Sequence, residues 1–276
     1  MTSRAGTWLL RGATGLTLAF IYLPLLVIVL YAFNPRRTLV WPIPGLTMKW
    51  FGKAIDNPGV RDALLVSLKA ALGATAIALL LGTCVAFAVG RHRFFGRDGI
   101  SFLVILPLAL PGIVTGMALN ATFRNLPEPF GVELGLFTIM VGHATFCIVV
   151  VYNNVVARLR RTAISLEEAS SDLGADAWQT FRYVTFPQLK TAWLAGGLLA
   201  FALSFDEVIV TTFTAGADQT LPIWILNNLS RPNQLPIVNV VAVFVILLSM
   251  IPVYFASKLS SESRGAGATG VAGGAR

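Results

Sequence analysis

Residues 165–189 read SLEEASSDLGADAWQTFRYVTFPQL, a polar, punctuated stretch with long apolar segments on both sides. Ser165 followed three residues later by Glu168 is the pattern of a capping box, so a short helix is predicted to start there. Leu166, Ala169 and Leu173 give that helix one apolar side. Gly174 stands where the helix should stop, in the left-handed conformation that other residues resist. Asp176 and Gln179 repeat the capping pattern, and Trp178, Phe181 and Val184 carry an apolar side onward. Pro187 is expected to stop this second helix before the next apolar run. The reading is two short helices hinged at a glycine, set between hydrophobic segments.

The rest of the chain explains the setting. Of 276 residues, 55% are hydrophobic and 12% charged, with a mean hydropathy of +0.73. That balance excludes an ordinary soluble domain and points to an integral membrane protein. The net charge of +8 does not indicate a nucleic-acid binder, because the basic residues sit at the ends of apolar runs and not on a polar patch. A bilayer core needs about 20 apolar helical residues. Six stretches qualify: 14–33, 64–89, 100–123, 136–157, 193–214 and 237–257. The first is too long for a signal peptide and has no small-residue cleavage site after it, so it reads as an anchor. Cys84 and Cys147 both fall in apolar runs and read as buried small hydrophobes. No further Cys or His stands at metal-ligand spacing, so no metal site is expected.

Basic residues orient the spans. With the N-terminus in the cytoplasm, thirteen Lys and Arg fall in inside segments and five in outside ones, leaving out Arg61, Lys69 and Arg124 at the spans. The expectation is an all-α, six-span protein with both termini inside. Its membrane domain is 1–258, the quoted hairpin lies in a cytoplasmic loop at 158–192, and 259–276 is a disordered cytoplasmic tail with almost nothing to bury. The outer segment from Asn34 to Val60 is basic and rich in Pro and Trp, as expected of a loop folded on the membrane surface.

The quoted hairpin resembles the EAA motif of ABC-importer permeases: Glu-Ala-Ala, three residues, Gly, nine residues, Ile-x-Leu-Pro. Here Glu168-Ala169-Ser170 is followed by three residues and Gly174, and nine more lead to Val184-Thr185-Phe186-Pro187. Ser, Val and Phe replace Ala, Ile and Leu, while the Glu, Gly and Pro spacing is kept. The whole chain resembles the permease subunit of a type I importer, nearest to the second permease of the spermidine/putrescine group. YLPLLVIVLYAFN at 22–34, LPLALPGIVTGMAL at 106–119, VGHATFCIVVV at 141–151 and LAFALSFDEVIVTTFTAG at 199–216 carry that likeness. The resemblance implies a bacterial inner-membrane protein working with a cytoplasmic ATPase dimer, a second homologous permease and an extracytoplasmic binding protein. It assigns ATPase coupling to Glu168, Ala169, Ser170, Gly174, Ala175 and Pro187. Glu168 keeps two readings, an ATPase contact or the partner of Ser165 in the capping box. The chain would need no cofactor of its own, ATP and Mg being bound by the partner; no G-x-x-x-x-G-K-[ST] run occurs in it.

Asp206 and Glu207 lie inside the fifth expected span, about 20 Å from its inner end. Ionisable residues at such depth mark functional sites. A carboxylate there could give a polyamine ammonium a charge-assisted hydrogen bond, with Phe201, Phe205 and Phe213 adding cation–π contact. The other reading makes Glu207 structural, since related permeases for uncharged and anionic substrates tend to carry an acid at that place. Pro107 and Pro111 should kink the third span, and Gly112 and Gly116 allow close helix approach. His143 reads as a hydrogen-bonded packing histidine, with a pH sensor or cation ligand as the alternative, and Asn153 and Asn154 as interhelical links in preference to a gate. Residues 220–236 form either a short interfacial helix or a plain loop. No catalytic set converges on one side of the membrane. The alternatives are a permease for another small solute, such as an amino acid, an opine or another amine, and more remotely a secondary transporter. The latter would show internal repeats, and none is visible.

Overall fold

The structure, a computed structural model, describes residues 4–126 and 131–268. Its regular elements are all helical. They are α1 (Arg4–Ala32), α2 (Lys49–Ile55), α3 (Pro58–Arg91), α4 (Arg97–Ala109), α5 (Gly112–Arg124), α6 (Leu136–Leu159), α7 (Ser165–Asp172) and α8 (Ala177–Thr180). A π-helical turn (Phe181–Thr185) then leads to α9 (Phe186–Phe205), α10 (Ile209–Thr214), α11 (Leu221–Leu229) and α12 (Leu235–Ala268). Among the described residues α1, α3, α6 and α12 are long and apolar enough to cross a membrane, and α4 with α5 makes a fifth if the bent pair is one span. None of the apolar window of α1 is buried, against 56% of that of α6. The first therefore faces lipid or another subunit, while the second is a core helix.

The chain forms two compact units, Met1–Arg61 with Trp224–Leu247, and Asp62–Ile223 with Leu248–Arg276. In the first, the segment after α1 folds around Trp50, whose indole N–H donates to the Asn34 carbonyl at 2.8 Å. The ammonium groups of Lys49 and Lys53 lie 4.6 and 5.1 Å from its ring centroid. Phe51 bridges Phe33 and Phe244. This segment thus has a small core of its own.

The second unit is built on α6. Ala70, Ala74, Ala78, Gly82 and Ala86 recur every four residues on α3 and are all buried. A Cβ at Gly82 would come within 3.0 Å of the Ile148 carbonyl on α6, so the stripe permits backbone-close packing. On the other side Cys147, Val151, Val155 and Leu159 of α6 pack with Leu189 and Ala200 of α9. Gly196 lies so close that its Cβ would stand 3.3 Å from the Val151 Cα.

Five expectations are corrected. The third stretch is not one kinked helix: α4 and α5 meet at 104°. Leu110, which precedes Pro111, is pushed to extended backbone (φ −79°, ψ 142°), ending α4, and Pro111 caps α5. The second hairpin helix is not stopped by Pro187. The π turn puts the Phe186 N–H on the Phe181 carbonyl, and Pro187 falls in the first turn of α9, where a missing N–H costs little. The fifth stretch thus starts at Phe186, continuous with the hairpin, and breaks after Phe205. Helix α12 continues to Ala268, so residues 259–268 of the expected disordered tail are helical. Gly265 and Gly267 near its end cost about 1 kcal/mol each without breaking it; residues 269–276 lie outside the described residues. Cys84 is exposed on α3, not buried like Cys147, because it points off the small-residue stripe. Lastly, Ser165 makes no capping box with Glu168. Ile164 is already helical and its carbonyl accepts the N–H groups of Glu167 and Glu168, leaving Ser165 inside the first turn.

Candidate functional site: a docking hairpin and a broken helix

The hairpin turn is a Schellman motif. The Ala175 N–H donates to the Ser170 carbonyl at 3.1 Å and the Gly174 N–H to that of Ser171 at 2.9 Å, with Gly174 at φ +87°. Asp176 then caps α8. Its carboxylate accepts from the Gln179 N–H at 2.8 Å while the Gln179 side chain accepts from the Asp176 N–H at 3.0 Å. Ser170 and Thr180 join the two arms through their hydroxyls, 3.1 Å apart. Between the arms and Phe87 lies a cavity of about 560 Å³, lined in part by Glu167, Glu168, Ser171 and Asp172. Leu166, Leu173, Trp178 and Tyr183 are exposed around it, Leu173 at 90%. The polar hairpin thus carries an exposed apolar patch.

The two neighbouring glutamates divide the work. Glu167 accepts from both Nε and Nη2 of Arg91, at 3.1 and 2.8 Å, and from the Thr185 hydroxyl at 3.1 Å. Arg91 also donates to the carbonyls of Leu159 and Thr162. One node therefore ties the ends of α3 and α6 to both hairpin arms. Glu168, exposed, takes no part in it. Sequence reasoning singled out Glu168 and missed Glu167, because only the fold brings Arg91 within reach. Ala169 and Pro187 are exposed, Ser170 and Ala175 half-buried.

At its other end the α8–α9 rod stops at Asp206. No proline or glycine occurs between α9 and α10. Glu207 turns its carboxylate onto the start of α10, accepting the Val210 N–H at 2.9 Å. Asp206 is exposed and accepts from the Ser249 hydroxyl of α12 at 3.1 Å. The three phenylalanines do not converge on the acids as one set. Phe205 is 2% exposed and lies against Phe201, with ring centroids 6.0 Å apart. Phe213 packs on Gly116 of α5, where a Cβ would stand 2.7 Å from its ring, and its carbonyl accepts from the Asn120 amide at 2.5 Å. Gly112 faces Ile209. The two-glycine face of α5 thus packs on α10 within this chain. His143 is wholly buried between Ser204 and Thr211, and the Asn154 amide bonds its own helix at the Val150 carbonyl. Residues 221–229 form a helix and not a plain loop. Among the described residues no group of His, Cys, Asp or Glu could hold a metal ion.

A multi-pass α-helical membrane protein with a polar, glycine-hinged hairpin between two core helices has the build of a transport permease. The chain belongs to the family of binding-protein-dependent transport system inner membrane components, whose sequence profile matches residues 78–262. It is 34% identical over 232 residues to the putrescine transport system permease protein PotI of Escherichia coli (strain K12), covering 82% of each chain. It is 31% identical over 254 residues to the spermidine/putrescine transport system permease protein PotC of the same strain, covering 91% of this chain and 93% of the relative. In fold it is similar to a chain of a bacterial ABC transporter involved in the import of the acidic polysaccharide alginate. The TM-score there is 0.70 at 16% identity, covering 95% of this chain and 98% of that one.

Proposed function

We propose that the chain forms one half of the translocation path of an ATP-driven importer for a polyamine, a putrescine- or spermidine-like cation handed over by an extracytoplasmic binding protein. The observation that carries this reading is the pairing of the EAA-type hairpin, open on its apolar rim, with an exposed carboxylate at the far end of the same helical rod. Relatives named for putrescine and spermidine transport support the substrate class. Asp206 is the substrate-facing acid, since it is exposed and, among the described residues, is held by a single hydroxyl, that of Ser249. Glu207 is structural, because its carboxylate satisfies the start of α10.

In this reading α1, α3, the α4–α5 pair, α6, the α9–α10 pair and α12 are six spans, with both termini in the cytoplasm of a bacterium and the protein in its inner membrane. The hairpin, with Glu168, Ala169, Ser170, Gly174 and Ala175 at its tip and Pro187 where it joins α9, docks in a groove of an ATPase dimer that binds ATP and Mg. A second homologous permease completes the path. The thirteen-to-five distribution of basic residues supports the orientation. A cysteine placed at Gln179, with Cys84 and Cys147 replaced, is expected to resist membrane-impermeant thiol reagents on intact cells; ready labelling from outside overturns it. The substrate reading is tested by reconstituting the complex in liposomes with its binding protein and measuring ATP-driven uptake of labelled putrescine and spermidine. Uptake of neither, with active uptake of another amine, would replace the substrate and leave the permease.

A further inference from the structure

His143 lies about a third of the way along α6 and touches both sides of the α9–α10 break. Its Nδ1 is 2.7 Å from the Ser204 hydroxyl, in the last turn of α9, and its Nε2 is 2.8 Å from the Thr211 hydroxyl, in the first turn of α10. All three side chains are at most 2% exposed. The hydrogen of Thr211 is already committed, because this hydroxyl donates to the Glu207 carbonyl at 2.7 Å. Toward His143 it can only accept, so Nε2 carries the ring hydrogen. Nδ1 is then an acceptor, and Ser204 donates to it. The hydrogen bonds run one way: Ser204 to His143, His143 to Thr211, Thr211 to the backbone of Glu207. The reverse tautomer would turn the Thr211 hydrogen back to the ring and leave that carbonyl without its donor.

Two further bonds from α6 flank this chain. The Thr138 hydroxyl donates to the Thr214 carbonyl at 2.7 Å, beyond the break, and the Cys147 thiol lies 3.3 Å from the Ala200 carbonyl, before it. Each holds one side, whereas His143 holds both. At the opposite end of α6, Arg91 donates to the Leu159 carbonyl and Arg158 to the Gln188 carbonyl. Helix α6, about 36 Å long at 24 residues, is thus bound to the α8–α9 rod at the hairpin and again at the acids. We propose that His143, as the neutral Nε2–H tautomer, is a positioning residue: it clasps both sides of the break to α6, so that displacement of the hairpin reaches Asp206 and Glu207 as one movement. A rigid ring with its acceptor and donor on different edges suits this task.

The inference rests on the permease reading, and two measurements separate the two. The first is ¹⁵N magnetic resonance of histidine-labelled permease in lipid nanodiscs, with His92 replaced by Gln so that one imidazole remains. The Nε2–H tautomer is expected, whatever the substrate; an Nδ1–H or doubly protonated ring overturns the clasp. The second is putrescine moved per ATP hydrolysed in the reconstituted complex. Thr211→Val and Ser204→Ala are each expected to lower this ratio roughly tenfold, since a buried polar group loses its partner, and Thr211→Ser to keep it near wild type. A triple variant (His143→Leu, Ser204→Ala, Thr211→Val) removes every polar partner, so the amount of folded complex should recover while the ratio stays low. Recovery of the ratio in the triple variant would reduce His143 to packing and overturn the proposal. If the wild type moves no putrescine, the substrate reading falls, and the tautomer decides the clasp.

Discussion

The chain interrupts two of its apolar helices, one at Pro111 and one at Asp206–Val208, by different means. At Pro111 the cause is local: the ring forces Leu110 to extended backbone, and the helix must end. At Asp206 nothing in the backbone chemistry forbids a continuous helix. The break is held by neighbours: Glu207 satisfies the start of α10, His143 bridges the gap from α6, and Ser249 takes Asp206. A break made by a proline is fixed in every state of the protein. A break made by side-chain hydrogen bonds can change when its partners move, as the proposed role in ATP-driven transport requires. The helices that follow the two breaks, α5 and α10, pack on each other through Gly112 and Gly116, so the fixed interruption buttresses the adjustable one.

The largest effect is expected at the adjustable break. Asp206→Asn keeps the shape and removes the charge. With a charge-assisted bond worth about 1.5–3 kcal/mol, uptake of a dication should fall roughly ten- to hundredfold. ATP hydrolysis stimulated by the loaded binding protein should change much less. Unchanged polyamine uptake at equal protein level would make Asp206 as structural as its neighbour and erase the distinction drawn between the two breaks.

Gly174 offers a third interruption, again made by one residue's backbone. A Cβ there would meet nothing within 4 Å, so only its φ of +87° opposes substitution. Gly174→Val should strain the turn by about 1–2 kcal/mol, misplace the hairpin, and cut uptake about tenfold with insertion unaffected. Wild-type uptake and ATPase stimulation in that variant would remove the hairpin from the coupling route. At the contact between α5 and α10, Gly116→Val should drive a methyl group into the Phe213 ring and cost about 1–3 kcal/mol. A lower melting temperature of the purified protein would register it, and an unchanged one would mean the buttress is loose. Pro111→Ala should have the smallest effect, about 0.4–1 kcal/mol through greater freedom of the unfolded chain. A large loss of stability there would show that the proline ring itself holds the break, and that the packing of α5 on α10 does not keep it in place.

Much of this was legible before any coordinates, for a common reason. The apolar runs, the Pro111 interruption, the left-handed Gly174 and the Asp176–Gln179 cap are each written within a few residues, because proline, glycine and short polar side chains act on the backbone next to them. The EAA spacing belongs to the same class, and with the four longer stretches of likeness it identified the family. Pro187 misled for an instructive reason. Its local rule predicts a stop, yet a π turn upstream moved the proline to a first-turn position where the rule does not apply. The choice of Glu167 over Glu168 as the structural acid, the burial of His143 between Ser204 and Thr211, and the break after Phe205 could not be read in advance. The Glu167–Thr185, His143–Thr211 and Arg91–Glu167 bonds join residues 18 to 76 positions apart, and hydrogen bonds of that kind exist only once α3, α6 and α9 have packed. The sequence by itself determined that the chain enters a membrane, where the hairpin turns at Gly174, and which family it belongs to. Tertiary packing decided which polar groups inside the bundle find partners, because in an apolar medium a polar side chain is directed by the nearest donor or acceptor and not by its neighbours in sequence.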